Sequence, residues 1–309
     1  MLEELIDLIV SKYKEYKRHD GPILDYLGMT FDFAKRGEVK ITMDGAVKDL
    51  IDNCGVTGGA KTPAAENLFD IRESGVKENL AATPLQKKHF HTNVAKALWI
   101  AKRTKPECLV TIAFLATRVT KCDTDDIKKL FRLLRYIRST AGRGIILRPG
   151  QRGVQVRAWI DAAYGVHSDG KSHTGSVVTL GDAGPIHAKS SKQHNVTKSS
   201  TEAELVGMSD SANQGFHIRN FIVAQGHAPG PLIIYQDNLS CKALIERGRS
   251  SSERTRHIAI RYFWVRERIG SGEALVEYMK SELLYSNILT KPLQGKQFLE
   301  ERRGLTNWN

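Results

Sequence analysis

Thiols are scarce in this chain, and the few present are scattered. Cys54, Cys108, Cys122 and Cys241 are the only cysteines in 309 residues, and no two form a C-x-x-C pair. That spacing excludes a zinc ribbon and a disulfide scaffold, and makes a reducing, intracellular setting the expectation. No apolar run approaches the ~18 residues that a membrane-spanning helix needs. The N-terminal stretch MLEELIDLIVSKYKEYKR is acidic early, with apolar residues at helical spacing, so it reads as an amphipathic helix and not a signal peptide. Acidic residues are outnumbered: 34 Asp and Glu face 46 Lys and Arg, a net charge of +12, which suits a polyanionic partner. What is present in quantity is hydrophobic residue, 41% of the chain, enough to bury a core.

The pattern divides near GRGIILRPGQRG (142–153), a Gly/Pro/Arg-rich segment expected to link a unit of residues 1–150 to one of 151–309. The first unit is expected to be mostly helical. Short extended pieces lie near Tyr26–Phe33 and Val39–Met43, a Gly/Thr/Pro-rich loop covers 55–65, and helices are expected over 85–103, 107–117 and 125–140. The last helix carries Lys128, Arg132 and Arg135 on one face, positioned either to follow a phosphate backbone or simply to face solvent.

The second unit alternates as strands do through GVQVRAWID, with further strands expected near 176–180 and 185–189. A long helix is expected over 199–225. It is followed by a buried strand in PLIIYQD, helices over 239–247 and 253–269, a fifth strand at 274–279, and a closing helix over 282–290. Strand meander first and crossovers after give an α/β mixed sheet flanked by helices.

Asp161 and Asp237 stand at the ends of two of these strands, and Glu204 lies about one turn into the long helix. If the strands are parallel neighbours, three oxygen donors meet at one sheet edge, a set that favours Mg²⁺ or Mn²⁺. Spacing alone leaves alternatives open. Asp161 also fits a turn, Asp237 a helix cap with Asn238, and Glu204 a capping box with Thr201, although Ser199 and Glu202 form a competing box that frees Glu204.

Five ordered strings, WIDAAYGVHSDGKSHTGSVV, AKSSKQHNVTKSSTEAELVGMSD, IIYQDNLSCKAL, SERTRHIAIRYFWVRERI and NILTKPLQG, closely resemble the ribonuclease H domain of copia-type LTR-retrotransposon polyproteins. Upstream, YLGMTFDF and VKITMDGAVKDLI resemble the strand pair and following helix near the primer terminus in the post-palm part of the same polyprotein's reverse transcriptase, and TPAAENLF and FLATRVT through LRYIRSTAGRG resemble its thumb and connection. The resemblance implies a ribonuclease H-like mixed five-stranded sheet and two-metal hydrolysis of the RNA strand of an RNA–DNA hybrid. It implies three carboxylates at Asp161, Glu204 and Asp237, with Asn287 where the family's A-D-I-L-T-K-P-L string has a fourth. Asn offers one neutral carbonyl oxygen in place of two charged ones, so one ion should bind more weakly. The alternatives are then a catalytically impaired hybrid-binding module or a decayed retroelement copy. Backbone contacts are expected from Lys128, Arg132, Arg135, Lys189, Lys192, Lys198, Arg254, Arg256 and Arg261, with His257 in a contacting or structural role. No His-bearing loop follows the fifth strand, so no general-acid His is named. No Y-x-D-D string occurs, so polymerisation by this chain alone is not expected, and a palm-containing chain is a candidate partner.

Overall fold

A computed structural model describes residues 2–13, 18–71, 81–150, 153–247 and 259–308. The first region opens with α1 (Leu2–Lys12), then β1 (Ile23–Tyr26), β2 (Met29–Asp32), β3 (Val39–Thr42) and α2 (Asp44–Cys54). Next come α3 (Pro84–Thr104), α4 (Leu109–Ala116) and α5 (Thr124–Ser139). Helix starts follow capping chemistry. Thr83 and Gln86 form a reciprocal box ahead of Pro84, and Asp123 and Asp126 do the same for α5.

The expected linker contains a short strand, β4 (Ile145–Leu147), which pairs antiparallel with β3 and completes a sheet of order β1-β2-β3-β4. At three residues it is too short to show a period in sequence.

The second sheet is built from β5 (Val156–Ala163), β6 (His173–Leu180), β7 (Pro185–Lys192), β8 (Leu232–Gln236) and β9 (Ala274–Tyr278). Its order is β7-β6-β5-β8-β9, with β5–β6 and β6–β7 antiparallel and β5–β8 and β8–β9 parallel. The helices are α6 (Ser200–Ala224), α7 (Leu239–Arg247) and α8 (Ala259–Gly270). This is the ribonuclease H-like mixed five-stranded sheet that the sequence led us to expect.

One expected element is absent and another takes its place. Residues 282–290 are not a continuous helix. They form two 3₁₀ turns, Ser281–Leu283 and Asn287–Leu289, and the closing helix α9 lies further on, at Gly295–Thr306.

Strand β5 is buried along its whole length, and its two faces serve different cores. Val156, Ala158 and Ile160 pack with Leu205, Met208 and Ala212 of α6 and with Ile245 and Val265. Trp159, with Val177 and Tyr235, joins a larger core that includes Phe90, Ile112, Phe114, Leu134 and Ile137 of the first region and Phe298 and Leu305 of α9. Helices from its own region cover one face of the sheet. The first region and α9 cover the other.

Candidate active site

Parallel pairing of β5 with β8 sets Ala158 against Ile234 and Trp159 against Tyr235. Carrying that register two residues on brings Asp161 level with Asp237 at the carboxyl ends of both strands. Helix α6 supplies the third group. Ser199 accepts from the Glu202 amide at 3.2 Å, and the Glu202 carboxylate accepts from the Lys198 amide at 2.8 Å. The helix start is therefore capped without Glu204, whose carboxylate instead accepts from Ala162 N and from Gln236 Nε2, each at 3.2 Å.

One carboxylate oxygen from each of Asp161, Glu204 and Asp237 lies within 4.8 Å of the other two. Among the described residues no other group of three His, Cys, Asp or Glu side chains gathers in this way. Asp161 is 2% exposed and Glu204 4%, while Asp237 is half-buried. Burial raises the Asp161 carboxyl, opposed by Lys291 and by the Thr290 hydroxyl. Burial drives Glu204 well upward, and the neighbouring Asp161 and Asp237 charges push the same way. Anions crowded at that depth need a cation. A hard, oxygen-seeking divalent ion fits a donor set of three carboxylates with no thiol and no imidazole.

Asn287 is 2% exposed and is linked to Asp161 through Lys291. Its Nδ2 donates to the Ser281 carbonyl at 2.5 Å, and its Oδ1 accepts from Lys291 Nζ at 3.2 Å. Lys291 Nζ in turn lies 3.5 Å from Asp161 Oδ2. The Thr290 hydroxyl donates to that same Asp161 oxygen.

The turn carrying these groups is held from three sides. Gly175 stands opposite Asp161 in the β5–β6 ladder, and a Cβ there would lie 2.7 Å from both Leu289 Cβ and the Ser286 carbonyl. Only glycine lets the turn approach so closely. Ser190 Oγ donates to the Leu289 carbonyl at 2.6 Å, at the end of a buried row: His167 Nε2 to His173 Nδ1 at 3.0 Å, and His173 Nε2 to Ser190 Oγ at 2.7 Å. Phe69 and Phe114 of the first region pack on these rings. Burial pulls His167 down to about 4 and His173 to about 3, so both are neutral near pH 7. On the third side, Glu301 of α9 accepts from the Ile288 amide at 2.9 Å, and burial pushes its carboxyl up to about 7.

Thr290, Lys291, Gly175 and Glu301 were not singled out from sequence as site residues. Lys291 and Thr290 sat in the NILTKPLQG string and were readable there. Gly175 acts on residues more than 100 positions away and Glu301 on an amide 13 positions back, outside its own helix, and neither leaves a local signal.

The expected backbone-contacting residues are dispersed. Lys128, Lys189 and Lys198 are exposed. Arg132 donates to Thr62 Oγ1 at 2.8 Å and Arg135 to the Thr57 carbonyl at 3.2 Å, with Lys129 and Arg138 likewise on the carbonyls of Asp70 and Gly58. The basic face of α5 therefore grips the 57–70 loop. Lys192 pairs with Asp169 at 2.6 Å, and Arg261 pairs with Asp210. Arg254, Arg256 and His257 lie outside the described residues.

No family model matches the chain. Among curated proteins it is 30% identical over 197 residues to the retrovirus-related Pol polyprotein from transposon RE1 of Arabidopsis thaliana, covering 63% of this chain and 13% of that protein. The corresponding polyprotein from transposon TNT 1-94 of Nicotiana tabacum is 23% identical over 72% of the chain and 16% of its own length. The Transposon Ty1-LR2 Gag-Pol polyprotein of Saccharomyces cerevisiae is 21% identical over 89% of the chain and 16% of its own length. The chain thus spans 13–16% of the length of these relatives. Among solved structures, a foamy viral protease-reverse transcriptase in complex with RNA/DNA hybrid superposes with TM-score 0.49 at 13% identity, covering 91% of this chain and 33% of that one. A ribonuclease H1 isolated from compost gives TM-score 0.36 at 11% identity, covering 44% of this chain and 92% of that one.

Proposed function

From a chain whose homologues are retrovirus-related Pol polyproteins of LTR retrotransposons, copia-type elements among them, we infer a ribonuclease H-type nuclease that cuts the RNA strand of RNA–DNA hybrids. In this reading residues 1–150 are the post-palm reverse transcriptase region and 151–309 the nuclease. One observation carries it: Asp161, Glu204 and Asp237 bring an oxygen each within 4.8 Å at the ends of two parallel central strands.

Those three carboxylates would hold Mg²⁺ or Mn²⁺. Such an ion, when bound, polarises the scissile phosphate and lowers the pKa of the attacking water. The chain's own groups set the stage. Thr290 fixes one Asp161 oxygen, and Ala162 N and Gln236 orient the two oxygens of Glu204. Attack of water on the phosphodiester then leaves a 5′-phosphate and a 3′-hydroxyl. RNA is told from DNA by its 2′-hydroxyls in the wide, shallow minor groove. Exposed Lys128, Lys189 and Lys198 add sequence-independent, salt-sensitive affinity.

The test is a hybrid with a labelled RNA strand, incubated with Mg²⁺ or Mn²⁺. Cleavage by the parent and none by Asp161→Asn is the expected result. Asn287 favours a second reading, a hybrid-binding module without turnover. Retained hybrid binding with no cleavage in either metal selects that reading. Loss of both activities in a folded chain points to a decayed copy.

A further inference from the structure

The four-carboxylate arrangement implied by the family resemblance neutralises its anions with two divalent ions. This chain has three carboxylates and, beside them, a lysine. Lys291 Nζ is 3.5 Å from Asp161 Oδ2 and 3.2 Å from Asn287 Oδ1, so the ammonium sits between a site carboxylate and the residue at the fourth position. The backbone that carries it is fixed at this place. The Lys291 amide donates to the Asn287 carbonyl at 2.9 Å, and Thr290 ties the preceding residue to both Asp161 and Asn287.

Asn287 is oriented to receive the ammonium. Its Nδ2 is committed to the Ser281 carbonyl, which leaves Oδ1 facing Lys291. An aspartate in the same rotamer would press a carboxylate oxygen against that carbonyl, so the pocket is shaped for the amide. Charge balance points the same way. In the free protein one divalent ion and one ammonium neutralise three carboxylates. A second divalent ion would leave an excess of positive charge beside the buried Asp161 and Glu204.

Building on the nuclease reading above, we propose that Lys291 supplies the second positive charge of this site, so that the chain binds a single divalent ion where its resemblance implies two. The lysine side chain is 44% exposed, so its outer face stays open to a phosphate oxygen.

The experiment is Mn²⁺ titration of the full chain without nucleic acid, followed by the electron paramagnetic resonance of free Mn²⁺. The parent, Lys291→Arg, Lys291→Met and the double variant Asn287→Asp/Lys291→Met are compared, and circular dichroism melts confirm that each is folded. The expected result is one ion for the parent and for Lys291→Arg. Lys291→Met should bind its ion roughly tenfold more tightly, because a like charge has left, and the double variant should bind two. Cleavage by Lys291→Met should fall in kcat with little change in KM. Two ions on the parent, or unchanged affinity in Lys291→Met, overturns the proposal. No Mn²⁺ binding by a folded parent overturns both this proposal and the nuclease reading. One ion on the parent with no hybrid cleavage leaves the lysine assignment standing and removes the nuclease reading.

Discussion

Helix α5 and the strand pair β5–β8 both carry a row of like charges, and the two rows have opposite fates. The carboxylates of Asp161 and Asp237 are driven together because strand register fixes where each side chain leaves the sheet. The cations of α5 are fixed by nothing comparable. Long side chains on a helix face take whatever acceptor is nearest, and Lys129, Arg132, Arg135 and Arg138 find the 57–70 loop. A charge at a strand end reports geometry, whereas a charge run on a helix reports only availability.

The largest expected effect tests the convergent row. Asp161→Asn should lower hybrid cleavage by about a thousandfold, the loss typical of a removed metal-ligating group, while hybrid affinity changes by less than about threefold. The same variant should melt at an equal or higher temperature, since it relieves crowding of buried anions. A melting loss of several degrees would show that Asp161 serves the fold and not the site.

Next comes the contact that closes the turn. Gly175→Ala places a Cβ against Leu289 and Ser286, which should cost about 1–3 kcal/mol by overpacking. It should also lower cleavage more than about tenfold by displacing Thr290 and Lys291. Normal cleavage at a reduced melting temperature would separate turn packing from the site.

A third prediction addresses the seam where the two regions meet. Unfolded histidines take up protons below about pH 6.5, whereas His167 resists to about 4 and His173 to about 3. The unfolded state therefore binds more protons in this window, so their contribution lowers stability as pH falls from about 6.5 toward 3. Glu301 acts in the opposite sense: its carboxyl, raised from 4.5 to about 7, favours the folded state at low pH and loses that effect as pH rises to 7. Melting curves of the parent against His167→Gln/His173→Asn isolate the histidine part. The parent should lose more stability between pH 7 and pH 4 than the variant does.

The smallest effects sharpen the contrast on α5. Arg135→Ala and Arg138→Ala should each cost about 1 kcal/mol of stability through a lost hydrogen bond to the loop, with the salt dependence of hybrid binding unchanged. Exposed Lys128→Ala should leave stability alone and reduce the salt slope by about one. Equal salt slopes for Arg135→Ala and Lys128→Ala would erase the distinction drawn between gripping and free cations.

The central strands, the long α6 and the three carboxylates were readable because each leaves a local mark: alternation, a continuous apolar run ending in Asp, a cap followed by Glu. Helix α9 left no such mark. Its buried residues include Glu301 and Arg302, which any periodicity count assigns to the surface, and Gly304 interrupts it. That glycine has a packing reason invisible in sequence, since a Cβ there would lie 2.5 Å from the Tyr285 ring. The 282–290 stretch was helical in pattern but is pulled into two short turns. Asn287 reaches back to Ser281, and Thr290 is anchored on Asp161, 129 positions away in the chain. Local propensity yields where long-range tethers are this dense. The α5 row was legible as charge but not as partnership, because its acceptors are the carbonyls of Thr57, Gly58 and Asp70 and the Thr62 hydroxyl, neutral groups some 60 to 80 positions away that sequence composition does not register.

Trp159, Val177 and Tyr235 look away from α6 and into a core shared by residues that precede position 150 and by α9. A scissor cut in the gene at that point would leave residues 151–309 with a wet, greasy wall in place of an interior. The chain's first 150 residues are in this sense part of the roof over the sheet that follows them.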